Sequence, residues 1–206
     1  PVLVTIAYST IQTVASSLAM FDSLDAIIDT NTTVRDTSVV LAPLLTSYTA
    51  SSIGTRLEVS TNAVFDAPLL ADITNLSFDV RNGAVVDLPS VTQYVVNVLN
   101  VSPAGVTLFD VSRFGVASQL LLSNLTTIDF ESAACSNCVF RFEALNGGQI
   151  DLSSVTEILL SPQINQLETR ANGAGTQIDL SAIETFDPAR IVFIEENDGT
   201  IVLPTR

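Results

Sequence analysis

The chain contains no Lys, no His and no Trp, and these absences remove several classes of catalytic site. Without His there is no Ser-His-Asp or Cys-His arrangement. Without Lys there is no P-loop, and the dinucleotide-binding pattern G-x-G-x-x-G is also missing. A zinc site needs four ligands, whereas this chain offers two Cys and no His. The sequence carries no catalytic signature, and we expect that the protein is not an enzyme.

Positive charge is scarce: eight Arg stand against 22 acidic residues, for a net charge of −14. This balance works against binding to nucleic-acid phosphates or to anionic lipid surfaces, and it favours solubility and cation binding. No run of 18 or more apolar residues occurs, so we expect no helical membrane span and no nucleic-acid partner.

Disorder is not indicated, because 47% of the 206 residues are hydrophobic and the mean hydropathy is +0.45. The length suits one domain with a sizeable core. Ser and Thr are abundant, a composition typical of extracellular β-rich proteins. The chain opens at Pro1 without an initiator Met, and we expect a mature product or part of a larger protein.

A repeat appears when the stretch "ALNGGQIDLSSVTEI" at residues 144–158 is aligned with the rest of the chain on Asp151. The residues before and after each equivalent position are apolar, whereas the position itself is often Asp. This alternation predicts a short strand with its flanks inward and the anchor outward. The anchors, about 23 residues apart on average, are Met20, Leu41, Asp66, Asp87, Asp110, Asp129, Asp151, Asp179 and Val202.

Each repeat unit also carries a turn signal upstream of its anchor. A second alternating run ends at a recurrent Asn, which Gly follows in three copies. Asn and Gly accept positive φ angles, so this column predicts a tight turn between two strands. The Asn column consists of Asn62, Asn82, Asn124, Asn146, Asn172 and Asn197.

A unit of this length cannot bury its apolar face alone, but stacked coils can join their inward positions into one core. The sequence therefore predicts an all-β fold, a parallel β-solenoid of about eight to nine coils of about 23 residues. We assign residues 19–206 to the solenoid. Residues 1–18 fit the columns poorly; the helical spacing of Ile11, Val14, Ala15 and Leu18 predicts a capping helix, with an irregular first coil as the alternative.

The repeated columns resemble the parallel β-solenoid segments of large secreted or surface-anchored adhesin-like and filament-like proteins. A second resemblance is to leucine-rich repeats and receptor L-domains, which have units in the twenties and a turn Asn. The distance from the last apolar residue to the Asn varies, from Val59–Asn62 to Val80–Asn82, which departs from a strict leucine-rich repeat. The first resemblance implies a structural or adhesive role.

The column of Asp residues is the strongest candidate for chemistry. Like charges directly opposite on neighbouring strands destabilise a sheet by roughly 0.2–1 kcal/mol per pair, so compensation is expected. Ca²⁺ bridging adjacent coils is one source, and an Asx-turn, in which each Asp accepts the N–H two residues on, is another. A row of catalytic carboxylates is a third interpretation. The candidate metal residues are Asp66, Asp87, Asp110, Asp129, Asp151 and Asp179.

The two cysteines, Cys135 and Cys138, lie in "AACSNCVF", in the return of one coil. A thioredoxin-like site needs a βαβ setting, which the pattern does not contain. We predict a disulfide across a tight corner, contributing about 2 kcal/mol in the chain-entropy model. A disulfide implies an oxidising compartment.

N-x-S/T sequons mark possible glycosylation sites, although chance alone produces several in a chain rich in Ser and Thr. Two of them, Asn75 and Asn100, fall in return segments and are the better candidates. The four sequons are at Asn31, Asn75, Asn100 and Asn124.

These features favour a non-catalytic, extracellular module of a surface, filament or matrix protein that acts by self-association or presentation. The alternative is a carbohydrate- or protein-binding solenoid, and a polysaccharide-active β-helix enzyme is a third hypothesis. We expect no cofactor other than Ca²⁺. Expected partners are further copies, neighbouring domains of the same assembly, or glycans.

Overall fold

The structure is a computed structural model that describes residues 4–13, 16–97, 106–112, 116–133, 135 and 138–205. Short β-strands joined by turns form this part of the chain, and no residue in it is helical. Consequently none of these residues belongs to a helix of the length and hydropathy needed to cross a membrane. The predicted all-β class is confirmed.

Twelve strands make up the first four coils, three strands to a coil. They are β1 (Val4–Ala7), β2 (Thr10–Gln12), β3 (Leu18–Met20), β4 (Leu24–Ile28), β5 (Asn31–Val34), β6 (Val39–Leu41), β7 (Ser47–Thr49), β8 (Arg56–Ser60), β9 (Val64–Asp66), β10 (Asp72–Thr74), β11 (Ser77–Arg81) and β12 (Val85–Asp87).

Eleven strands make up the last four coils. They are β13 (Gln93–Val95), β14 (Val106–Val111), β15 (Gln119–Leu121), β16 (Thr127–Phe130), β17 (Cys138–Leu145), β18 (Gln149–Asp151), β19 (Glu157–Leu160), β20 (Ile164–Asn172), β21 (Gln177–Asp179), β22 (Ile191–Glu196) and β23 (Thr200–Val202).

Every third strand pairs in parallel with its equivalent in the next coil, and the result is three sheets around one core. Sheet A has the order β1-β4-β7-β10-β13-β16-β19, sheet B has β2-β5-β8-β11-β14-β17-β20-β22, and sheet C runs from β3 to β23 through β6, β9, β12, β15, β18 and β21. The last coil adds to sheet A only an isolated bridge between Glu157 and Thr185. Eight coils at about 4.8 Å spacing give a rod roughly 34 Å long.

The described residues of the N-terminal segment form the first coil, as one of the two predictions for this segment has it, and the other prediction, a capping helix, is wrong for these residues. Thr5 pairs with Ala26, Ile11 with Thr32, and Leu18 with Val39, so β1, β2 and β3 enter all three sheets. Ile11 and Leu18 therefore lie on strands; Val14 and Ala15 fall outside the described residues. The stacking of apolar side chains on the next coil outweighs their helical spacing, because propensity is a weak prior.

Coil length varies more than the sequence analysis expects. Ser17 and Ser38, which precede β3 and β6, are 21 residues apart, whereas Thr92 and Thr126, which precede β13 and β16, are 34 apart. Most of the extra residues lie between strands in the sequence, and single-residue register shifts occur within two ladders of sheet B, at Thr107–Phe109 and at Cys138–Val139. The number of coils is therefore eight, the lower end of the predicted range.

One contiguous core runs through the rod, because identical inward positions stack from coil to coil. In sheet C the middle residue of each strand points inward, and the next residue at the corner is also buried in the second to seventh coils. The inward column of sheet C is Ala19, Val40, Phe65, Val86, Leu120, Ile150, Ile178 and Ile201.

Aromatic side chains cluster in the core of the central coils. Phe109 stacks on Phe142 with ring centroids 4.3 Å apart, and it meets Phe78 and Tyr94 edge-on at 5.6 and 5.2 Å. Such pairs contribute about 0.5–1.5 kcal/mol beyond their area burial. Since parallel stacking places like residues on like, these rings form a continuous hydrophobic column between sheets A and B.

The two buried tyrosines satisfy their hydroxyls on the backbone. Tyr94 donates to the carbonyl of Leu76 at 2.7 Å, and Tyr48 contacts the carbonyl of Thr30 and the hydroxyl of Thr32. Burial raises the pKa of both phenols above its ordinary value. Both therefore remain protonated donors that tie sheet A to the corner leading into sheet B.

The predicted Asn-Gly turn connects sheet B to sheet C. Asn146 and Gly147 have φ angles of 49° and 84°, which is the left-handed pair that a tight two-residue turn requires. Asn82, Asn62 and Asn197 also have positive φ. Asn124 does not belong to this column, because it lies between β15 and β16, at the corner from sheet C to sheet A.

Candidate functional site

Four of the six predicted column carboxylates lie together on the outer face of sheet C. Asp66, Asp87, Asp151 and Asp179 each end their strand, with the preceding residue buried. Asp151 and Asp179 are direct register partners. Leu121 is the partner of both Asp87 and Asp151, so it divides the four carboxylates into two pairs.

The structure contradicts the placement of Asp110 and Asp129 in this column. Asp110 lies on β14 in sheet B, opposite Asp79 and Glu143, whereas Asp129 lies on β16 in sheet A. The inserted residues of these coils make chance Asp spacings resemble the repeat. The residue that occupies the column there is Leu121.

The four carboxylates that remain in the column of sheet C form two separate pairs and not the predicted continuous row of calcium ligands. Ca²⁺ takes six to eight oxygen ligands, and a pair of Asp side chains supplies only a minority of them. Within the described ranges, no three Cys, Asp or Glu residues are grouped as metal ligands would be. Calcium binding stays a prediction, which melting curves in Ca²⁺ and in EDTA would test.

The Asx-turn interpretation is confirmed for the C-terminal pair. The Asp151 carboxylate accepts the N–H of Ser153 at 2.9 Å, and that of Asp179 accepts the N–H of Ser181 at 2.9 Å. It fails for Asp87, because the residue two positions on is Pro89, which has no N–H. Asp66 is likewise followed by Pro68.

Sequence reasoning missed an exposed apolar surface on the first four coils of sheet C. Leu18, Met20, Val64 and Val85 point outward and are 62%, 57%, 42% and 41% exposed. We call the outward side chains of these strands the apolar patch; its members are Leu18, Met20, Val39, Leu41, Val64 and Val85.

The corner that follows each of these strands extends the apolar character. The second to fourth coils place solvent-facing Pro there, followed by Leu in two of them; we call these residues the proline corner, namely Pro43, Leu44, Pro68, Leu69 and Pro89. Leu69 is 49% exposed. The signal that would have found both groups is a column of apolar residues at outward positions, where the strand period demands polar ones.

The fifth, sixth and seventh coils of sheet C present Gln at the first outward position, whereas Leu121 and, in the last coil, Val202 keep the second outward position apolar. Val85 is in register with Gln119, which is followed along the column by Gln149 and Gln177. The Gln119 amide donates to the Gln149 carbonyl oxygen at 2.6 Å. The corners of these three coils carry Ser123, Ser153 and Ser181 in place of Pro, whereas the corner of the last coil again has Pro204.

Sheet B carries a second feature that sequence reasoning did not find, a face of paired charges. Four consecutive strands place an acidic side chain at one outward position, and we call these residues, Glu58, Asp79, Asp110 and Glu143, the carboxylate column. Five of the eight arginines flank it, namely Arg35, Arg56, Arg81, Arg141 and Arg170.

Arginines neutralise the N-terminal part of the carboxylate column at short range. Arg81 binds both oxygens of Asp79 at 2.5 Å and lies 3.4 Å from Glu58. Arg35 pairs with Glu58 at 2.5 Å, and Arg56 pairs with Asp79 at 3.1 Å. Bidentate, charge-assisted bonds of this kind are roughly twice as strong as neutral hydrogen bonds.

The pairing continues through the C-terminal coils. Arg141 binds Glu168 at 2.5 Å, and Arg170 binds Glu196 at 2.6 Å and lies 3.7 Å from Glu143. The hydrogen bond from Arg170 to Glu196 raises the pKa of the guanidinium above its ordinary value. The sequence signal for this face is opposite charge at alternate positions, as in "RLE", "DVR", "RFE" and "ETR".

A shallow cleft of about 280 Å³ lies beside this face, lined by Asn31, Thr33, Gly54, Arg56 and Glu58. It contains amide, hydroxyl, guanidinium and carboxylate groups, which can bind a polyol such as a sugar. No aromatic side chain lines it for stacking against a sugar ring.

Cys135 and Cys138 form the predicted disulfide, with Cα atoms 5.6 Å apart. Both residues are buried, at the entry to β17. The bond closes a short corner between sheets A and B.

The sequons fall in different environments. Asn75 is fully buried, and its Nδ2 donates to the carbonyl of Ala50 at 2.7 Å and to Asn97 at 2.6 Å, so its position between two strands does not make it accessible to a glycan. Asn31 and Asn124 are exposed. Asn100 lies outside the described residues. A glycan on the folded chain therefore fits Asn31 or Asn124 better than Asn75.

The outer face of sheet B therefore carries paired charges. The outer face of sheet C is mainly apolar in the first four coils and more polar in the later ones. Comparison of the chain with protein-family models, with curated protein sequences and with solved structures yields no match.

Proposed function

We propose that the protein is a non-catalytic structural or adhesive module of an extracellular surface, filament or matrix protein. The observation that carries this proposal is the uninterrupted core through eight coils, because it makes a rigid rod rather than a shell around a pocket. Such a rod acts by presenting neighbouring domains at a set distance or by associating with further copies.

The charge chemistry of sheet B supports a structural role. Arginines bind the carboxylates of Asp79, Glu58 and Glu168 at 2.5 Å, so their acceptor oxygens are engaged within the protein. An oxidising location is supported by the disulfide, since such bonds persist outside the cytosol.

Sedimentation velocity and electron microscopy of the full chain test the association. We expect species larger than the monomer that grow with protein concentration. A protein that remains strictly monomeric at all concentrations would exclude self-association and leave the presentation of neighbouring domains as the proposed role. A cytosolic location of the natural protein would overturn the extracellular assignment.

Glycan binding at the cleft beside Arg56 is the second candidate, favoured by the polar lining of that cleft. A glycan array tests it, with Asn31→Ala and Arg56→Ala as the variants expected to lose any signal. A turnover assay on the same glycans separates binding from catalysis: cleavage that Glu58→Gln abolishes would overturn the non-catalytic assignment.

A further inference from the structure

The N-terminal half of sheet C presents apolar side chains and carboxylates side by side on one outer face. The apolar patch spans β3, β6, β9 and β12, and Asp66 and Asp87 end the last two of these strands. We propose that this surface, with the proline corner, docks a cationic amphipathic segment of a partner protein. This inference goes beyond the proposed structural role and does not depend on it.

The apolar character is not a requirement of the solenoid. In the fifth to seventh coils the first outward position is occupied by Gln119, Gln149 and Gln177, with Ser at the corners. Those coils pair in the same register, so polar residues satisfy the fold equally well. The exposed apolar residues of the first four coils therefore need another explanation, and contiguous exposed apolar surface commonly marks an interaction site.

The carboxylates beside the patch are available to a partner. Within the part of the chain that the structure describes, no hydrogen bond or ion pair engages the side chain of Asp66 or Asp87, and both are exposed. Pro68 and Pro89 remove the backbone N–H groups that Ser153 and Ser181 supply to the equivalent carboxylates. The corner that adds apolar surface thus also leaves the two charges unbonded.

Charge complementarity selects a cationic partner. The outward positions of sheet C hold apolar residues, Gln, Thr and Asp, and no Arg. A partner with apolar side chains flanked by Lys or Arg would cover the patch and pair with Asp66 and Asp87. Electrostatic complementarity of this kind raises association rates and suppresses wrong partners.

A second copy of the chain does not fit this surface. Face-to-face contact between two copies would bring Asp66 and Asp87 against apolar or acidic groups without a cation, which leaves charges buried and unpaired. The patch with its corner covers about 300 Å², from four strands about 4.8 Å apart and about five residues of about 3.3 Å. A stable protein interface needs about 800 Å² per partner, so a short segment fits better than a second rod.

Fluorescence anisotropy with three labelled peptides tests the proposal on the full chain. Each has about 14 residues, a helix of about 21 Å that covers the four strands. One is a Leu/Lys amphipathic peptide, the second replaces Lys by Glu, and the third replaces Leu by Ser. We expect saturable, salt-sensitive binding of the Leu/Lys peptide alone; equal binding of the Leu/Glu peptide, or none by the Leu/Lys peptide, would overturn the proposal.

Matched substitutions locate the site. Val64→Ser with Val85→Ser should weaken Leu/Lys binding by about tenfold, and Asp66→Asn with Asp87→Asn should do the same and reduce its salt dependence. The controls are Gln149→Ser with Gln177→Ser, and Asp151→Asn with Asp179→Asn, which change the same columns in the polar half and should leave binding unchanged. Equal losses of peptide binding in the control variants would overturn the assignment of the site. A dimer seen in sedimentation that Val64→Ser with Val85→Ser dissociates would also overturn it, because the patch would then bind a second copy.

Discussion

Sheets B and C share one backbone geometry, but they differ in how the carboxylates on their outer faces are compensated. On sheet B the carboxylate column is interleaved with arginines, and its acidic groups are largely covered by their partners. On sheet C the carboxylates are divided by Leu121, no Arg occupies an outward position of the described strands, and the Asp151 carboxylate accepts a backbone N–H instead.

This difference shows how a parallel solenoid accommodates like charges stacked on one another. Directly opposite carboxylates repel, and the repulsion grows as water is excluded. Sheet B offsets it with guanidinium groups, as Arg81 does for Asp79 and Glu58. Sheet C keeps its carboxylates at solvent-facing strand ends, where two of them bind their own corners.

The largest effect is expected from Arg81→Ala, which breaks the paired face. Removing Arg81 leaves the buried Asp79 carboxylate without its bidentate partner and removes the second cation beside Glu58, which keeps Arg35. Loss of one partner of a buried pair costs about 3 kcal/mol or more. Urea denaturation should show this fall in the free energy of unfolding.

Arg56→Ala is the matched control, because Arg56 binds the same Asp79 from a side chain that is 54% exposed. An exposed ion pair contributes at most about 1 kcal/mol. If the two variants lost equal stability, burial of the pair would not be the reason for the effect.

The second prediction separates the two halves of sheet C. Asp151→Ala removes the acceptor for the Ser153 N–H and should lower the free energy of unfolding by about 1 kcal/mol. Asp66→Ala should cost nothing, since Pro68 offers no N–H. Asp151→Asn keeps an acceptor oxygen and should retain most of the stability; a loss at Asp66 as large as at Asp151 would contradict the distinction.

The third prediction concerns the inner side of sheet B. Thr169 lies between Phe142 and Phe193, its register partners on the two neighbouring strands. Its buried hydroxyl has no hydrogen-bond partner within the described residues. Thr169→Val replaces this hydroxyl by a methyl group and should stabilise the protein by about 1 kcal/mol. Thermal unfolding measures it, with Thr169→Ser, which keeps the hydroxyl and loses a methyl, expected to be destabilising.

The smallest effect is a pH dependence at a partly exposed pair in the last coil. The hydrogen bond from Arg190 lowers the pKa of the Asp187 carboxyl below its usual value of about 3.9. A lowered folded-state pKa contributes stability above about pH 3.9, which is lost as the pH falls through the folded pKa. NMR titration should find the low pKa, and Arg190→Gln should raise it towards the usual value; an unchanged pKa would exclude Arg190 as the cause.

Much of the fold could be predicted because parallel stacking repeats a few columns. The inward–outward–inward pattern of a sheet C strand is predicted by the alternation of Ile150, Asp151 and Leu152. The turn before this strand is predicted by Asn146-Gly147. The same reasoning failed for Asp110 and Asp129, because insertions between strands shift the sequence period without shifting the register. The near-average spacing of Asp110 and Asp129 from the other anchors is therefore a coincidence.

The candidate surfaces were less predictable than the fold. The sequence marked Asp151 and Asp179 correctly, because their turn is local and depends on a residue two positions away. The Arg81–Glu58 contact joins residues of different coils, and its partners are neighbours only through the register of β8 and β11. Local patterns cannot reveal such contacts until the register is known.

The sequence by itself determined the strand period, the turns and a core of stacked apolar columns, since each depends on residues close together in the chain. Only the tertiary structure decided which residues of each coil enter the sheet C register, and hence that Leu121 interrupts the carboxylates of sheet C. It also decided that arginines collect on sheet B while apolar groups collect on sheet C. The physical reason is that the insertions leave the ladders in register, and register rather than sequence distance determines which side chains meet.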